Sequence, residues 1–154
     1  MTKLYLAGPM TGIPQFNYPA FEEAAAALRS VGVEVQSPAE MDNDEDREAA
    51  MASTDGSAET YTGTSTWGDF LARDVKLLAD DGIDAVVVLP GWEGSRGARL
   101  ETYVAMLCAK PIVTMHKIGE DVSLYRVPDL LLIRAWAGTP AIDFVKADEE
   151  APSE

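Results

Sequence analysis

Several residue types are scarce in this chain of 154 residues, and each scarcity excludes a class of protein. The single cysteine, Cys108, excludes an internal disulfide framework and a multi-cysteine zinc site, and we expect it to serve in packing. The single histidine, His116, has no matching cluster of metal-ligating residues, so no metal site is predicted. No apolar run approaches the roughly 20 residues of a membrane span.

Basic residues are also few, because 12 Lys and Arg stand against 26 Asp and Glu, which gives a formal net charge of −14. Binding to nucleic acid or to an anionic membrane surface needs Lys and Arg, so we expect neither partner. A local pocket for a small anion is still compatible with an acidic protein. The low cysteine content and the lack of a signal-peptide pattern in residues 1–6 favour a cytoplasmic protein.

The hydrophobic fraction of 47% and the charged fraction of 25% are typical of a globular domain. We predict one α/β domain over residues 1–147 and an acidic tail over residues 148–154. Residues 41–66 are rich in Asp, Glu, Ser and Thr, and we interpret them as an acidic insertion with a helical turn near residues 47–51. This insertion is either a solvated loop or a lid over a pocket.

The order of the predicted elements indicates a doubly wound, mostly parallel sheet flanked by helices. Strands are predicted at residues 4–7, 33–35, 84–89 and 111–115, and helices at residues 19–30, 67–81 and 98–109. Ser37 and Glu40 have the spacing of a capping box for a short helix between the second strand and the insertion. Residues 129–137 form either a strand or a helix, and residues 139–145 begin a last helix.

Candidate ligand-binding residues lie at the predicted carboxyl ends of the strands, where open parallel sheets bind their ligands. Gly8 and Pro9 follow the first strand, and Trp92, Ser95, Arg96 and Gly97 lie in the glycine-rich loop of residues 90–97 before a helix. Free amides at that helix start, together with a hydroxyl and a cation, suit a phosphate or carboxylate. The alternative is an ordinary capped loop between a strand and a helix.

Three further residues are candidates for chemistry. Glu101 lies near the positive end of the helix of residues 98–109, so we expect it to be ionised, with a lowered pKa. Asp74 lies on or beside the apolar face of the helix of residues 67–81, where a carboxylate needs a function or a partner such as Arg73 or Lys76. Tyr5, in the first strand, is either a core residue or the hydrogen-bond partner of a carboxylate.

These residues carry a resemblance to a known family. The start Leu4-Tyr5-Leu6-Ala7-Gly8-Pro9, Asp74 on its helix, and Gly97-Ala98-Arg99-Leu100-Glu101 resemble the nucleoside 2-deoxyribosyltransferases. The chain is more closely similar to their small phage and bacterial relatives of unassigned function, the DUF4406-type group. The resemblance covers residues 3–115 and implies a flavodoxin-like or Rossmann-like sheet.

The resemblance also implies residue roles and an activity. Glu101 matches the family's nucleophile, which attacks C1′ of deoxyribose and forms a glycosyl-enzyme intermediate. Asp74 matches a carboxylate that handles the base or the sugar, Tyr5 matches a tyrosine that orients the nucleophile, and Gly8 matches the turn under the substrate. Two carboxylates with separate duties also suit glycoside chemistry in general.

The expected function is therefore transfer or hydrolysis at the N-glycosidic bond of a deoxynucleoside or nucleoside 5′-monophosphate, without a cofactor. Arg96 stands where the family has a small residue, and it favours the phosphorylated substrate. The alternatives are a nucleotide-binding protein without catalysis and a phosphoribohydrolase that releases cytokinin-type bases. The resemblance implies a role in phage nucleotide metabolism and a homo-oligomer, whose interface anchors would be Trp67, Trp92 and Trp136 unless these lie in the core.

Overall fold

The computed structural model describes residues 1–137. The last helix predicted at residues 139–145 and the acidic tail of residues 148–154 lie outside the described residues. Within the described part, the protein has a five-stranded sheet flanked by helices. None of the described helices is both long enough and apolar enough to cross a membrane.

The sheet has the strand order β2-β1-β3-β4-β5. Its strands are β1 (Lys3–Ala7), β2 (Glu34–Gln36), β3 (Ala85–Val88), β4 (Ile112–Ile118) and β5 (Asp121–Arg126). The first four strands are mutually parallel, and β5 pairs antiparallel with β4 at the sheet edge. The predicted mostly parallel, Rossmann-like α/β fold is therefore confirmed, and β5 is an addition that the sequence pattern did not predict.

The helices confirm most of the predicted elements. They are α1 (Tyr18–Ser30), α2 (Pro38–Met41), α3 (Asp44–Ala52), α4 (Trp67–Ala79), α5 (Arg96–Leu107) and α6 (Asp129–Ala137), with short 3-10 turns at Pro14–Asn17 and Trp92–Gly94. Residues 129–137, for which the sequence allowed either a strand or a helix, form the helix α6. The short helix α2 forms, but the predicted capping box is wrong, because the Ser37 hydroxyl is buried and has no hydrogen-bond partner among the described residues.

The alternating side chains of β1 and β3 divide the core into two layers. Tyr5, Ala7, Val86 and Val88 point to the layer that contains α4, α5 and α6. On the other face of the sheet, Leu4, Leu6 and Val87 pack against α1, together with Phe21 and Leu28 of that helix. The two central strands are thus apolar on both faces, as parallel strands covered by helices should be.

The face that α5 turns to the core differs from the prediction. The helical spacing of Leu100, Val104 and Leu107 predicts that they face the core, but Leu100 and Leu107 are exposed. The buried side chains of this helix are instead Ala98, Glu101, Thr102 and Ala105. An apolar pattern could not indicate this face, because two of its four members are polar. Cys108 is also not inside the helix but is its half-buried C-cap residue.

The segment of residues 41–66 is more structured than a solvated loop. The predicted helical turn extends to the nine residues of α3. Asp46, one of its acidic residues, is 1% exposed and accepts hydrogen bonds from residues that lead into α4. The interpretation of the whole segment as solvated is therefore wrong for α3, while its role as a lid stays a prediction.

Candidate functional site

The candidate site lies beside the carboxyl ends of β1 and β3. The order of the strands reverses between these two neighbours, and ligands of such sheets usually bind at this switch point. Gly8 follows β1 and is buried. A Cβ added at Gly8 would lie 2.8 Å from the Cβ of Leu89, which follows β3. Gly8 therefore allows the two strand ends to approach closely, and this packing alone requires a glycine.

Tyr5 and Glu101 meet in the interior next to these strand ends. The Tyr5 hydroxyl donates a hydrogen bond to Oε1 of Glu101 at 2.7 Å. Tyr5 is fully buried in the middle of β1, and Glu101, the sixth residue of α5, is 6% exposed. Both alternatives for Tyr5 are therefore true at once, because its ring lies in the core while its hydroxyl binds a carboxyl group.

The charge state of Glu101 differs from the prediction. Burial, together with the nearby Asp74 carboxylate, raises the pKa of Glu101 to about 8, although the Tyr5 hydrogen bond lowers it. The expected lowering of this pKa is wrong, because Glu101 lies beyond the first turn of α5, to which the helix dipole effect is confined. Burial therefore dominates, and near neutral pH the free protein carries a proton on Glu101.

Asp74 is the second buried acid of the site, and it is 7% exposed on α4. Burial raises its pKa, and the hydrogen bond and positive charge of Arg73, with a smaller effect of the nearby Tyr5 hydroxyl, oppose this rise. Nε of Arg73 donates to Oδ1 of Asp74 at 2.9 Å. The Tyr5 hydroxyl therefore adjoins two acids, of which Asp74 alone has a cation as direct partner among the described contacts.

Arg73 joins this pair to a third acid. Its Nη1 donates to Oδ1 of Asp42 at 2.5 Å, and the Tyr18 hydroxyl donates to the other oxygen of the same carboxylate. The Asp42 side chain is only 4% exposed. The sequence indicated Arg73 only as a possible partner of Asp74, and it gave no signal for Tyr18 or Asp42, because no local spacing relates residues 18, 42 and 73.

A cleft of about 230 Å³ opens on the outer side of Arg73. It lies between α4 and the segment of residues 41–66, and Asp42, Asp46 and Phe70 line it together with Arg73. The Arg73 guanidinium also stacks over the Phe70 ring, 5.4 Å from its centroid. The buried acids thus lie next to a surface depression and are separated from it by the Arg73 side chain.

The loop before α5 is built as a helix cap. Ser95 is the N-cap residue, and its hydroxyl accepts a hydrogen bond from the Ala98 amide at 3.2 Å. The exposed Arg96 guanidinium stacks on the Trp67 ring, 5.0 Å from its centroid. The amides of Arg96 and Gly97 have no hydrogen-bond partner among the described residues. Two amides and one cation of the predicted anion cradle therefore remain available.

Trp92, the remaining candidate of this loop, does not face a ligand position. It is 4% exposed and packs in the core layer that contains Tyr5 and Ala98. Its backbone amide donates to the Leu89 carbonyl and so closes the turn after β3. In this structure Trp92 is a core residue that supports the loop.

The loop after β1 contains a turn that the sequence did not predict. Gln15, Phe16 and Asn17 all have positive φ angles, between 48° and 61°. Such a conformation costs on the order of 1–3 kcal/mol at each non-glycine residue. The Asn17 side-chain amide donates to the Pro9 carbonyl at 2.8 Å, and the Gln15 backbone amide donates to the Ser53 backbone carbonyl at 2.9 Å. Pro9 therefore helps to hold this turn, which also docks the segment of residues 41–66.

These features define a class of protein: a Rossmann-like α/β domain with two buried acids and a tyrosine hydroxyl beside the switch point of its sheet. The sequence matches the family described as "Domain of unknown function (DUF4406)" over residues 2–114, and the chain belongs to this family. All the site residues discussed above lie inside the matched range. A comparison with curated proteins finds no match.

Proposed function

We propose that the protein acts on the N-glycosidic bond of a deoxynucleoside or nucleoside 5′-monophosphate, with Glu101 as the nucleophile. The observation that carries this proposal is the hydrogen bond from Tyr5 to Glu101 beside the second buried acid, Asp74. Buried carboxyl groups are costly to folding, and clusters of them with shifted pKa values are typical of catalytic sites. The resemblance to nucleoside 2-deoxyribosyltransferases supports the same three residues.

The raised pKa of Glu101 fits this chemistry if the two acids share one proton. In the proposed first step, the Tyr5 hydroxyl turns from Glu101 toward Asp74, gives its own proton to Asp74 and takes the proton of Glu101, so that one proton passes from Glu101 to Asp74. Glu101 then attacks C1′ while the C1′–N bond breaks, and Asp74 delivers the proton to the leaving base. One pair of acids thereby supplies both the nucleophile and the general acid.

The second step regenerates the acid pair. Water, or the nitrogen of a second base, attacks C1′ of the glycosyl ester, and the Glu101–C1′ bond breaks. The proton of the attacking group returns to the pair, which again holds one proton. Water gives hydrolysis and a second base gives transfer, so the acceptor that reaches the intermediate decides between these two outcomes.

The loop before α5 supports a phosphorylated substrate. The free amides of Arg96 and Gly97 lie at the positive end of the same helix that carries Glu101, and the Arg96 guanidinium is exposed beside them. A 5′-phosphate bound there would direct the sugar along the helix toward the acids. In this proposal the substrate enters by the cleft at Arg73, and the segment of residues 41–66 serves as its lid.

The direct test is release of free base from a panel of deoxynucleosides and their 5′-monophosphates, measured by chromatography with and without an added acceptor base. We expect Glu101→Gln to abolish turnover and Asp74→Asn to reduce it by roughly 100-fold or more, the usual contribution of a general acid. Glu93→Gln, an exposed change in the preceding loop, is the control. Wild-type rates in Glu101→Gln would refute the assignment.

The pH profile gives a second test. Above a pH of about 8 the pair loses the proton that the leaving base needs, so kcat/KM should fall there. At acidic pH the protonation of Asp74 removes the acceptor for the Glu101 proton, and the rate should fall again. A rate that keeps rising above this range would contradict the shared proton.

The burial of Glu101 favours a second candidate, a protein that binds a nucleotide without catalysis. A protonated carboxyl group that is 6% exposed also suits a purely structural hydrogen bond to Tyr5. Thermal-shift measurements with mononucleotides, read beside base release, separate the two functions. Stabilisation without any free base after long incubation would favour the binding protein.

A further inference from the structure

We propose that Arg73 is a positioning residue that fixes the Asp74 carboxylate beside the buried Glu101 side chain. The proposal rests on geometry: Nε of Arg73 contacts Asp74 at 2.9 Å, while Nη1 contacts Asp42 at 2.5 Å. One guanidinium therefore bridges two acids that come from different parts of the chain. Asp74 is buried and has little water around it, so the contact with Arg73 determines the orientation of its carboxylate more strongly than a similar contact would at the surface.

The far end of the bridge is itself held firmly. The Asp42 side chain is only 4% exposed and also accepts a hydrogen bond from the Tyr18 hydroxyl of α1. Nη2 of Arg73 lies 3.5 Å from the Pro38 carbonyl, at the margin of a hydrogen bond. A planar guanidinium can satisfy two carboxylates in fixed directions, whereas a lysine ammonium is a single point charge on a flexible stem.

The consequence concerns which acid of the site holds the proton. The titratable groups that face Asp74 are Tyr5 from β1, the adjacent Arg73 on α4, Glu101 from α5 and Asp42 after α2. Arg73 favours the ionised form of Asp74, so the proton of the pair resides on Glu101. Without the bridge, both acids would be buried without a fixed cation, and Asp74 would compete for that proton.

The functional meaning of this arrangement rests on the proposed function, but its test does not need turnover. Carboxyl carbon NMR on protein labelled at Asp and Glu follows the titration midpoint of Asp74 in the wild type, Arg73→Gln and Arg73→Lys. We expect the midpoint to rise by about one pH unit or more in Arg73→Gln, the usual effect of losing an adjacent cation. Arg73→Lys should give a smaller rise, because its charge is kept but cannot hold both acids.

Arg47→Gln is the matched control. Arg47 is also partly buried; it pairs with Glu22 and the Ala39 carbonyl and lies over the Tyr18 ring, but it has no direct contact with Asp74 or Glu101 among the described residues. We expect this variant to leave the Asp74 midpoint unchanged whatever it does to the melting temperature. If Arg73→Gln does not fold, the comparison of Arg73→Lys with the wild type decides.

Two results would overturn the proposal. An Asp74 midpoint that stays at its wild-type value in the folded Arg73 variants would leave Arg73 a purely structural contact. A midpoint that rises in Arg73→Gln but not at all in Arg73→Lys would mean that charge alone matters, and not position. A protein without turnover in the base-release assay would defeat the proposed function and leave this titration result standing.

Discussion

At the scale of single residues, Asp46 shows how an acidic side chain can organise its surroundings. Its carboxylate accepts hydrogen bonds from the Tyr61 hydroxyl and from the backbone amides of Thr64 and Ser65, at 2.7–3.1 Å. These contacts, and first among them the hydrogen bond from the Ser65 hydroxyl, hold the pKa of Asp46 well below its usual range. The chain that leads into α4 is thus wrapped around a buried negative charge.

We predict that Asp46→Asn lowers the free energy of unfolding by about 2–4 kcal/mol, because an amide removes the charge and turns a donor toward other donors. The folded pKa of Asp46 is depressed, so its contribution is present above the unfolded pKa of about 4 and is lost as the pH falls below it. Urea denaturation should therefore show a large difference in the free energy of unfolding between variant and wild type at about pH 7, and a smaller difference at about pH 3.

The exposed Asp44, in the first turn of the same helix, provides the control Asp44→Asn. This change should move the stability by less than about 0.5 kcal/mol. An Asp46→Asn protein that is as stable as the wild type near neutral pH would show that the hydrogen bonds, and not the charge, hold the segment.

Tyr5, Asp74 and Glu101 could be found as candidates from the sequence because each stands out against its immediate neighbours in the chain. Tyr5 lies in a short apolar strand, Asp74 interrupts an apolar helix face, and Glu101 follows a glycine-rich turn. The protonation state of Glu101 could not be predicted, because burial depends on how α5 is rotated against the sheet. The role of Asp42 could not be predicted either, because its contact with Arg73 joins residues that are 31 positions apart in the chain.

At the scale of secondary structure, apolar runs predicted the central elements well and the peripheral ones poorly. The strands β1 and β3 are apolar on both faces, so their patterns were unambiguous. The edge strand β5 was missed because all six of its side chains are at least partly exposed and only Val122 among them packs against a core layer. The rotation of α5 was mispredicted because Glu101 and Thr102 lie on its buried face, where an apolar pattern gives no indication.

The close contact between the ends of β1 and β3 leads to a prediction about these strands. Gly8→Ala places a methyl group 2.8 Å from the Cβ of Leu89, and a Cβ atom cannot rotate away because the backbone fixes its position. We expect a loss of about 1–3 kcal/mol in the free energy of unfolding, as for other overpacked cores. Gly82→Ala, where the added carbon meets nothing within 4 Å, is the control in the same denaturation experiment. Equal stabilities would mean that the strand ends separate freely.

At the scale of the whole molecule, the three tryptophans do not form a common surface. Trp92 is buried, and Trp67 is 50% exposed beneath Arg96. Trp136 packs against the core layer, and its indole nitrogen donates to the Thr102 hydroxyl at 3.0 Å. Among the described residues, large exposed apolar side chains are most frequent on α5 and α6, namely Leu100, Tyr103, Met106, Leu107, Leu130, Leu131 and Ile133, and fewer lie on β4 and β5.

We expect any self-association of the protein to use this surface of α5 and α6, because clustered apolar residues are typical of interfaces between subunits. Leu107, which is 65% exposed, is the test position. Leu107→Glu should shift sedimentation profiles toward the monomer, while Val31→Glu, at the end of α1 on the opposite face of the sheet, should not. An equal effect of both changes would place the contact elsewhere.

The stability of the whole protein should depend on pH because of the buried Glu101 carboxyl group. The folded pKa of Glu101, about 8, lies above the value of 4.5 for an unperturbed glutamate, so the folded state binds more protons than the unfolded state between these two values. The free energy of unfolding must then decrease as the pH rises through this window, by an amount on the order of a few kcal/mol. Glu101→Gln removes this dependence, because its amide does not titrate and still accepts the Tyr5 hydrogen bond.

We therefore predict that Glu101→Gln is more stable than the wild type at about pH 8, and that the difference shrinks as the pH falls toward about 5. Denaturant titrations of both proteins across this range measure the effect, with Glu93→Gln as an exposed control that should run parallel to the wild type. A side chain whose removal stabilises the fold while abolishing turnover contributes to function and not to packing. A Glu101→Gln protein that is less stable at every pH would instead make Glu101 a structural residue.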